Sequence, residues 1–384
     1  GIGTVHPGHR PGTGAGPDGN GSLWPLPAAG VMRMGRPAPL APARQVARPR
    51  RWRLTVIPAL ALALLGLAVF SLGLGRVPIP PGTVLAVLAS QFWEVQADWS
   101  PAVEQIVTNV RLPRILAAML VGAGLAAAGA AYQTLFRNPI VAPDVLGVSA
   151  GAGFGASLAV TLNLGAWAIQ AGAFAMGLCA VGLVFVVGQA INRHSLIVLV
   201  LVGVVVAAFF QAMISVLKIV ADPVDVLPAI TFWLLGGLNR VTPGDLPLVA
   251  LLVGLALAVL YALRWQVNVM SVGSEEARML GVDTGMIRIA LILSATLMTA
   301  AAVSIAGIVG WVGLVVPHIA RLLVGSSFDR LLPVSALTGA LFLLLVDNLS
   351  RGATTMEIPL GITTSVIGAP LFLLLLLRAR TGWS

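Results

Sequence analysis

From Leu54 to Arg378 the sequence is a succession of apolar runs, broken only by proline, glycine and isolated charges. Runs of about 20 apolar residues fit the hydrocarbon thickness of a bilayer, and a helix satisfies its own backbone there. This pattern leaves one home for the chain. Of its 384 residues 58% are hydrophobic and 10% charged, against about 25% charged in a soluble domain. The fold class is an all-α polytopic membrane protein with about ten transmembrane helices. The expected spans are 54–75, 112–134, 145–164, 167–190, 196–217, 246–263, 287–306, 308–324, 331–350 and 359–378. A short helix, 226–238, stands between the fifth and sixth. Segment 77–110 carries Pro78, Pro80 and Pro81 and should not cross, while Trp93 and Trp99 suit a membrane interface. Residues 54–380 thus form one transmembrane domain.

Before it, residues 1–53 are rich in Gly, Pro and Arg, lack periodicity, and should be a disordered basic tail. They read as low-complexity coding as far as Met32 or Met34, so a natural start near there, or an extension before Gly1, is expected. No secretory signal is present in the pattern. The tail holds eight arginines and one acid, Asp18, which accounts for most of the net charge of +9. Such a tail orients a membrane protein and is no nucleic-acid surface. With both termini in the cytoplasm and the spans alternating, seventeen basic residues fall inside and six outside. That asymmetry obeys the positive-inside rule and favours an even number of spans. The outer six are Arg76, Arg111, Arg114, Lys218, Arg240 and Arg351.

Several function classes drop out. The single lysine, Lys218, precedes Ile219, so no Gly-Lys-Ser/Thr phosphate loop exists. Cys179 stands alone in an apolar helix and should serve packing; His6, His9, His194 and His318 have no metal-ligand spacing. Catalytic, cofactor and metal residues are therefore expected to be none. No span carries a charge near its middle, which argues against an ion-coupled carrier. Gly147, Gly151 and Gly155 recur every four residues, as do Gly122, Ala126 and Ala130; both stripes predict close helix packing.

Two loops draw attention. Arg111-Leu-Pro-Arg114 puts two cations at a helix start, where they oppose the helix dipole and have no evident structural need. They could anchor to lipid headgroups or dock carboxylates of an external partner. The inner loop 268–286 should hold a short helix, capped by Ser274, with Glu275 and Glu276 in its first turn and Gly281 as its stop. It would present Ala277 and Leu280 to a partner.

Five stretches and a closing block, in order, resemble the permease subunits of type II ABC importers for iron-siderophore, haem and cobalamin. They are Arg111–Arg114; Gln133–Gly155, with Phe136-Arg-Asn-Pro139 and Pro143-Asp-Val-Leu-Gly147; Phe232-Trp-Leu-Leu-Gly-Gly237; Glu276-Ala-Arg-Met-Leu-Gly281; Gly307–Arg321; and Ile358-Pro-Leu-Gly361 with Gly368-Ala-Pro370. The resemblance implies ten helices per subunit, a homodimer, two ATP-binding subunits that carry ATP and Mg, and a periplasmic substrate-binding protein. This chain itself would need no cofactor. The resemblance also implies docking of the binding protein by Arg111, Arg114 and Arg351. ATPase coupling would run through Ser274, Glu275, Glu276, Ala277, Arg278, Leu280 and Gly281. An inner gate would fall at Ser195, Leu196 and Ile197, greasier than the small hydroxylated residues of the cobalamin importer. Trp311 stands where that block commonly has Phe, a change expected to affect packing only.

The expectation is an inner-membrane permease that moves a metal chelate on ATP hydrolysis by a partner. Ferric siderophore comes first as cargo and haem second, with cobalamin or an oxyanion such as molybdate behind. An ion-coupled secondary carrier acting alone is the rival, and a membrane scaffold a third reading.

Overall fold

The structure, a computed structural model, describes residues 50–75, 78–94, 98–193, 195–352 and 356–379. The expected tail therefore lies outside the described residues except for its last four, which are helical. Helix α1 spans Arg50–Gly73, α2 Pro81–Ser90 and α3 Pro101–Gln105. A wider, π-type turn at Ile106–Arg111 carries α3 into α4, Leu112–Leu135. There follow α5 (Val148–Thr161), α6 (Ala166–Ile191), α7 (Leu196–Val220), α8 (Val226–Leu234) and α9 (Leu246–Ala262). The second half holds α10 (Arg264–Val272), α11 (Ser274–Met279), α12 (Thr284–Ala306), α13 (Val312–Val324), α14 (Phe328–Gly352) and α15 (Leu360–Ala379).

The ten expected spans correspond to α1, α4, α5, α6, α7, α9, α12, α13, α14 and α15. Eight helical stretches among the described residues are long and apolar enough to cross a membrane. The exceptions, α5 and α13, have 14 and 13 residues, about 20 Å at 1.5 Å per residue against a core of about 30 Å. Both were expected as full spans; each is a half-helix that starts inside the bundle.

Helix α4 is the axis of the packing. It lies against α12, α13 and α14, and most of its residues from Pro113 to Leu135 are buried. Ala126 and Ala130 of the expected small-residue face are both buried. A Cβ on Gly122 would sit 2.2 Å from the Gly339 carbonyl oxygen, so α4 and α14 meet backbone to backbone. In a membrane such contact supplies dispersion that the hydrophobic effect does not. The α5–α6 contact works likewise: a Cβ on Gly155 would lie 2.1 Å from the Gly172 oxygen. Gly151 faces Met176 and Ala180 of α6, but Gly147 leaves the expected stripe. It caps α5 with φ +80° and lies against Gly203 and Ala207 of α7. Cys179, expected to serve packing, is exposed on α6.

The two half-helices begin at one depth. The Pro143 ring would press within 2.1 Å of a Cβ on Gly313, which in turn would lie 2.7 Å from the Leu125 carbonyl oxygen. Leu125 is ten residues from the C-terminal end of α4, about 15 Å along its axis, and that end is the one expected to face the cytoplasm, the inner side. Segment 136–147 thus rises from the inner side to mid-depth before α5 starts. Segment 307–311 descends from the outer side to meet it, and α13 starts there.

Candidate functional site

At the end of the bundle expected to face outward, Arg114 and Arg351 close on two carboxylates, with Arg111 bonded to backbone beside them. Arg114 Nε and Nη2 donate to Asp347 Oδ1 at 3.0 and 2.9 Å, and Nη1 donates to Glu357 Oε2 at 2.9 Å. Arg351 lies 3.1 Å from the other Asp347 oxygen and also donates to Asn348. Asn348 donates to Ser71 at 2.6 Å, and Arg111 donates to the Leu72 carbonyl at 2.6 Å. The cluster therefore binds α1, α4, α14 and the segment before α15 into one unit. Arg111 and Arg114 are buried, and the Asp347 side chain is 0% exposed. This corrects the expectation that cations at that helix start have no structural need: Arg114 neutralises carboxylates 233 and 243 positions away, and Arg111 ties the same end to the last turn of α1 through the Leu72 carbonyl. Only Glu357, at 34%, is appreciably open to solvent. A cavity of about 520 Å³ beside it is lined by Arg114, Asn239, Arg240 and Glu357.

At the end expected to face the cytoplasm, α10 and α11 are mounted by polar side chains. Asn268 donates to Asp329 at 3.3 Å and accepts from the Phe328 N–H at 2.6 Å, which pins α10 to the start of α14. Arg137 donates to the Met270 carbonyl at 2.7 Å, which pins it to segment 136–147. Helix α11 ends as expected at Gly281, whose φ of +78° suits glycine. The Gly281 and Val282 N–H groups bond back to the Arg278 and Ala277 carbonyls at 2.9 and 3.0 Å, a Schellman end.

Three details differ from expectation. Gly273, not Ser274, stands at the cap, and Ser274 is the first helical residue. The Glu276 carboxylate folds over Gly273, filling the space a Cβ there would need. Ala277, expected to face a partner, is fully buried. Outward faces are taken by Glu275, Glu276 and Arg278, and by the apolar side chains of Met279 (80% exposed) and Leu280 (64%). Val272 and Met286, to either side, are also exposed. Arg278 pairs with Glu275 at 3.7 Å and donates to Thr284 at 3.3 Å.

The expected gate residues lie at the first turn of α7. Ser195 caps it by accepting from the Val198 N–H at 3.3 Å, Leu196 is half-buried and Ile197 is exposed. His194 lies outside the described residues. A cavity of about 370 Å³ separates this turn from the α11–α12 connection, with Asn192, Arg193, Arg278, Asp283 and Arg288 on its walls.

Mid-depth holds a feature the sequence reading missed. Asp144, carried up by segment 136–147, lines a cavity of about 270 Å³ with Ser149, Thr299 and Trp311. The expectation that no span carries a charge near its middle did not extend to this segment, where Asp144 precedes the expected span 145–164. A signal existed: Ile140, Val141, Ala142, Val145 and Leu146 make the segment too apolar for an ordinary surface loop. Trp311 does more than pack, since it caps α13 with a positive φ of 69° and forms part of that wall.

Comparison with known proteins bears on this arrangement as a whole. The chain is 36% identical over 327 residues to the molybdate import system permease protein MolB of Haemophilus influenzae, covering 85% of this chain and 96% of that one. It is 39% identical over 277 residues to a probable iron chelatin transport system permease protein of Helicobacter pylori, covering 72% and 83% respectively. A metal-chelate-type ABC transporter solved in an inward-facing conformation superposes with a TM-score of 0.75 at 35% identity, covering 85% of this chain and 99% of its own. The model of the FecCD transport family matches residues 62–378, from the middle of α1 through almost all of α15. With the helices, the half-helix pair and the inner loop all inside that stretch, the chain belongs to the FecCD transport family and is a multi-pass permease of the type II ABC importer kind.

Proposed function

We propose that two copies of this chain form the membrane pathway of an ATP-driven importer in a bacterial inner membrane, fed by a periplasmic binding protein and driven by two separate ATP-binding subunits. The observation that carries this reading is the inner segment 268–286. It is fixed to the bundle by Asn268 and Arg137, yet it leaves Met279 and Leu280 in solvent. A rigidly held apolar projection suits a groove on a partner. Ser274 through Gly281 are the proposed coupling residues, with Ala277 and Gly281 supporting the helix and Met279 and Leu280 filling the groove. Ser195, Leu196 and Ile197 are proposed as the inner gate, on the resemblance and on their place beside that segment.

On the outer face the docking role proposed for Arg111, Arg114 and Arg351 takes a narrower form. A carboxylate of the binding protein would compete with Glu357, the one accessible partner of Arg114, while Asp347 keeps the cluster together. Metal chelate is the proposed cargo, ferric siderophore before haem. Molybdate is the second reading, supported by the permease of Haemophilus influenzae named above.

The test is ATP-dependent uptake. Membrane vesicles holding this chain with its ATPase and binding protein should accumulate labelled cargo only with ATP on the cytoplasmic side. Uptake by the chain alone on an ion gradient would instead establish the secondary-carrier reading.

A further inference from the structure

Neither docking nor coupling accounts for the cavity at mid-depth. Asp144 is solvent-accessible on its wall, and it enters no ion pair among the described residues. Its depth follows from its neighbours, since Pro143 lies against Gly313 beside Leu125, near the centre of α4. An ionisable group at such a depth is costly and usually marks a pathway.

Two further observations bear on what the carboxylate does. Helices α5 and α13 both begin at this cavity, giving it Ser149 from one and Gly313 and Leu314 from the other. Each N-terminus carries the equivalent of about half a positive charge. Spread over a first turn and screened, two of them offset only part of a full carboxylate charge standing in the cavity. Without that carboxylate the same pair of helix ends would make an anion site. The opposite wall is Trp311, held in a left-handed conformation that a bulky residue rarely adopts, with Phe372 at 6.3 Å and Gly368 behind it. The position is thus shaped, not merely tolerated.

We propose that Asp144 sets the charge selectivity of the transport path at mid-depth: its full charge outweighs the two helix ends, offers acceptors to a cationic or hydrogen-bond-donating group on the cargo, and turns small oxyanions away. The cavity of about 270 Å³ is smaller than the usual ligand pocket of about 300–1,000 Å³. It takes one projecting group, such as an ammonium or an amide, and the rest of the cargo passes beside it. Arg137 ties the same segment to α10 at Met270, so the carboxylate is mechanically linked to the coupling segment. This deepens the importer reading and rests on it.

The test reads the local field and needs no knowledge of the cargo. The complete transporter, in a Cys179→Ser background, carries Ser149→Cys, and its reaction with ammonium-bearing and sulfonate-bearing methanethiosulfonates is timed in proteoliposomes. The cationic reagent should react about tenfold faster after correction for intrinsic reactivity, as expected for one unit charge a few ångströms away. Asp144→Asn should reverse the preference, and Asp144→Glu should keep it. Equal rates with Asp144 present, no modification by either reagent, or an unchanged preference in Asp144→Asn would each overturn the proposal. If Asp144→Asn does not fold, loss of the preference on protonation at low pH replaces it, and persistence of the preference there counts against the proposal. Failure of the importer reading shows separately, as absence of ATP-driven uptake of ferrioxamine, haem, cyanocobalamin and molybdate by the native transporter.

Discussion

At the outer end of the molecule, Arg111, Arg114 and Arg351 turn inward and are satisfied by Asp347, Glu357, Asn348 and a backbone carbonyl. At the opposite end, Asn268 and Arg137 mount segment 268–286, and the apolar Met279 and Leu280 are left in water beside Glu275, Glu276 and Arg278. The two ends invert the usual association of charge with contact and of apolar residues with the core. A basic residue on the outer side is therefore no measure of a docking surface. Of the six expected there, three are consumed by the fold. The acids Glu94, Asp98, Asp222 and Asp225 are exposed instead.

The strongest way to break this contrast is Arg114→Ala. It would strip the buried Asp347 of its bidentate partner, and loss of one member of a buried pair costs about 3–5 kcal/mol. Thermal unfolding in detergent should fall sharply. A melt equal to the native one would return Arg114 to the role of a free docking group. Next in size is Leu280→Asp. Affinity for the ATPase should drop by about 2 kcal/mol or more, the scale of an interface hot spot, with unfolding unchanged because the side chain touches solvent. Retained ATPase binding in a pull-down would make the inner segment a passive linker. The smallest effect is expected for Glu357→Gln, which frees Arg114 Nη1 for an incoming carboxylate. Binding-protein association measured in nanodiscs should strengthen by about 0.2–1 kcal/mol, a rim-charge effect, and the gain should shrink with salt. Weaker association would place the docking contact elsewhere.

The positions of the ten helices were legible because hydropathy over a bilayer's thickness is a long and redundant signal. The half-helices were not. Residues 140–147 and 307–311 are as apolar as the spans they precede, so a composition window runs straight through both breaks. The partners of Arg114 were hidden for another reason: they lie more than two hundred positions away, and no local pattern encodes them. The face of α11 could not be read either. Six residues are fewer than two turns, too few for a periodicity to say whether Ala277 or Leu280 points inward. The stop at Gly281 was readable because a left-handed C-terminus has its own residue preference.

Three chain breaks at the end expected to face outward are stitched by main-chain bonds. The Gly237 N–H donates to Ala306 at 2.8 Å, Leu360 to Gly236 at 3.0 Å and Gly361 to Leu235 at 2.9 Å. Since the bonded atoms belong to the backbone, this knot is indifferent to side-chain chemistry and sensitive only to volume. A single methyl at Gly307 would come within 2.3 Å of the Trp233 oxygen, and one at Gly361 within 2.5 Å of the Leu235 oxygen. The ends of α8, α12 and α15 are thereby fused into one plate. On the importer reading, rocking between outward- and inward-open states is expected to carry that plate whole and to find its hinges elsewhere.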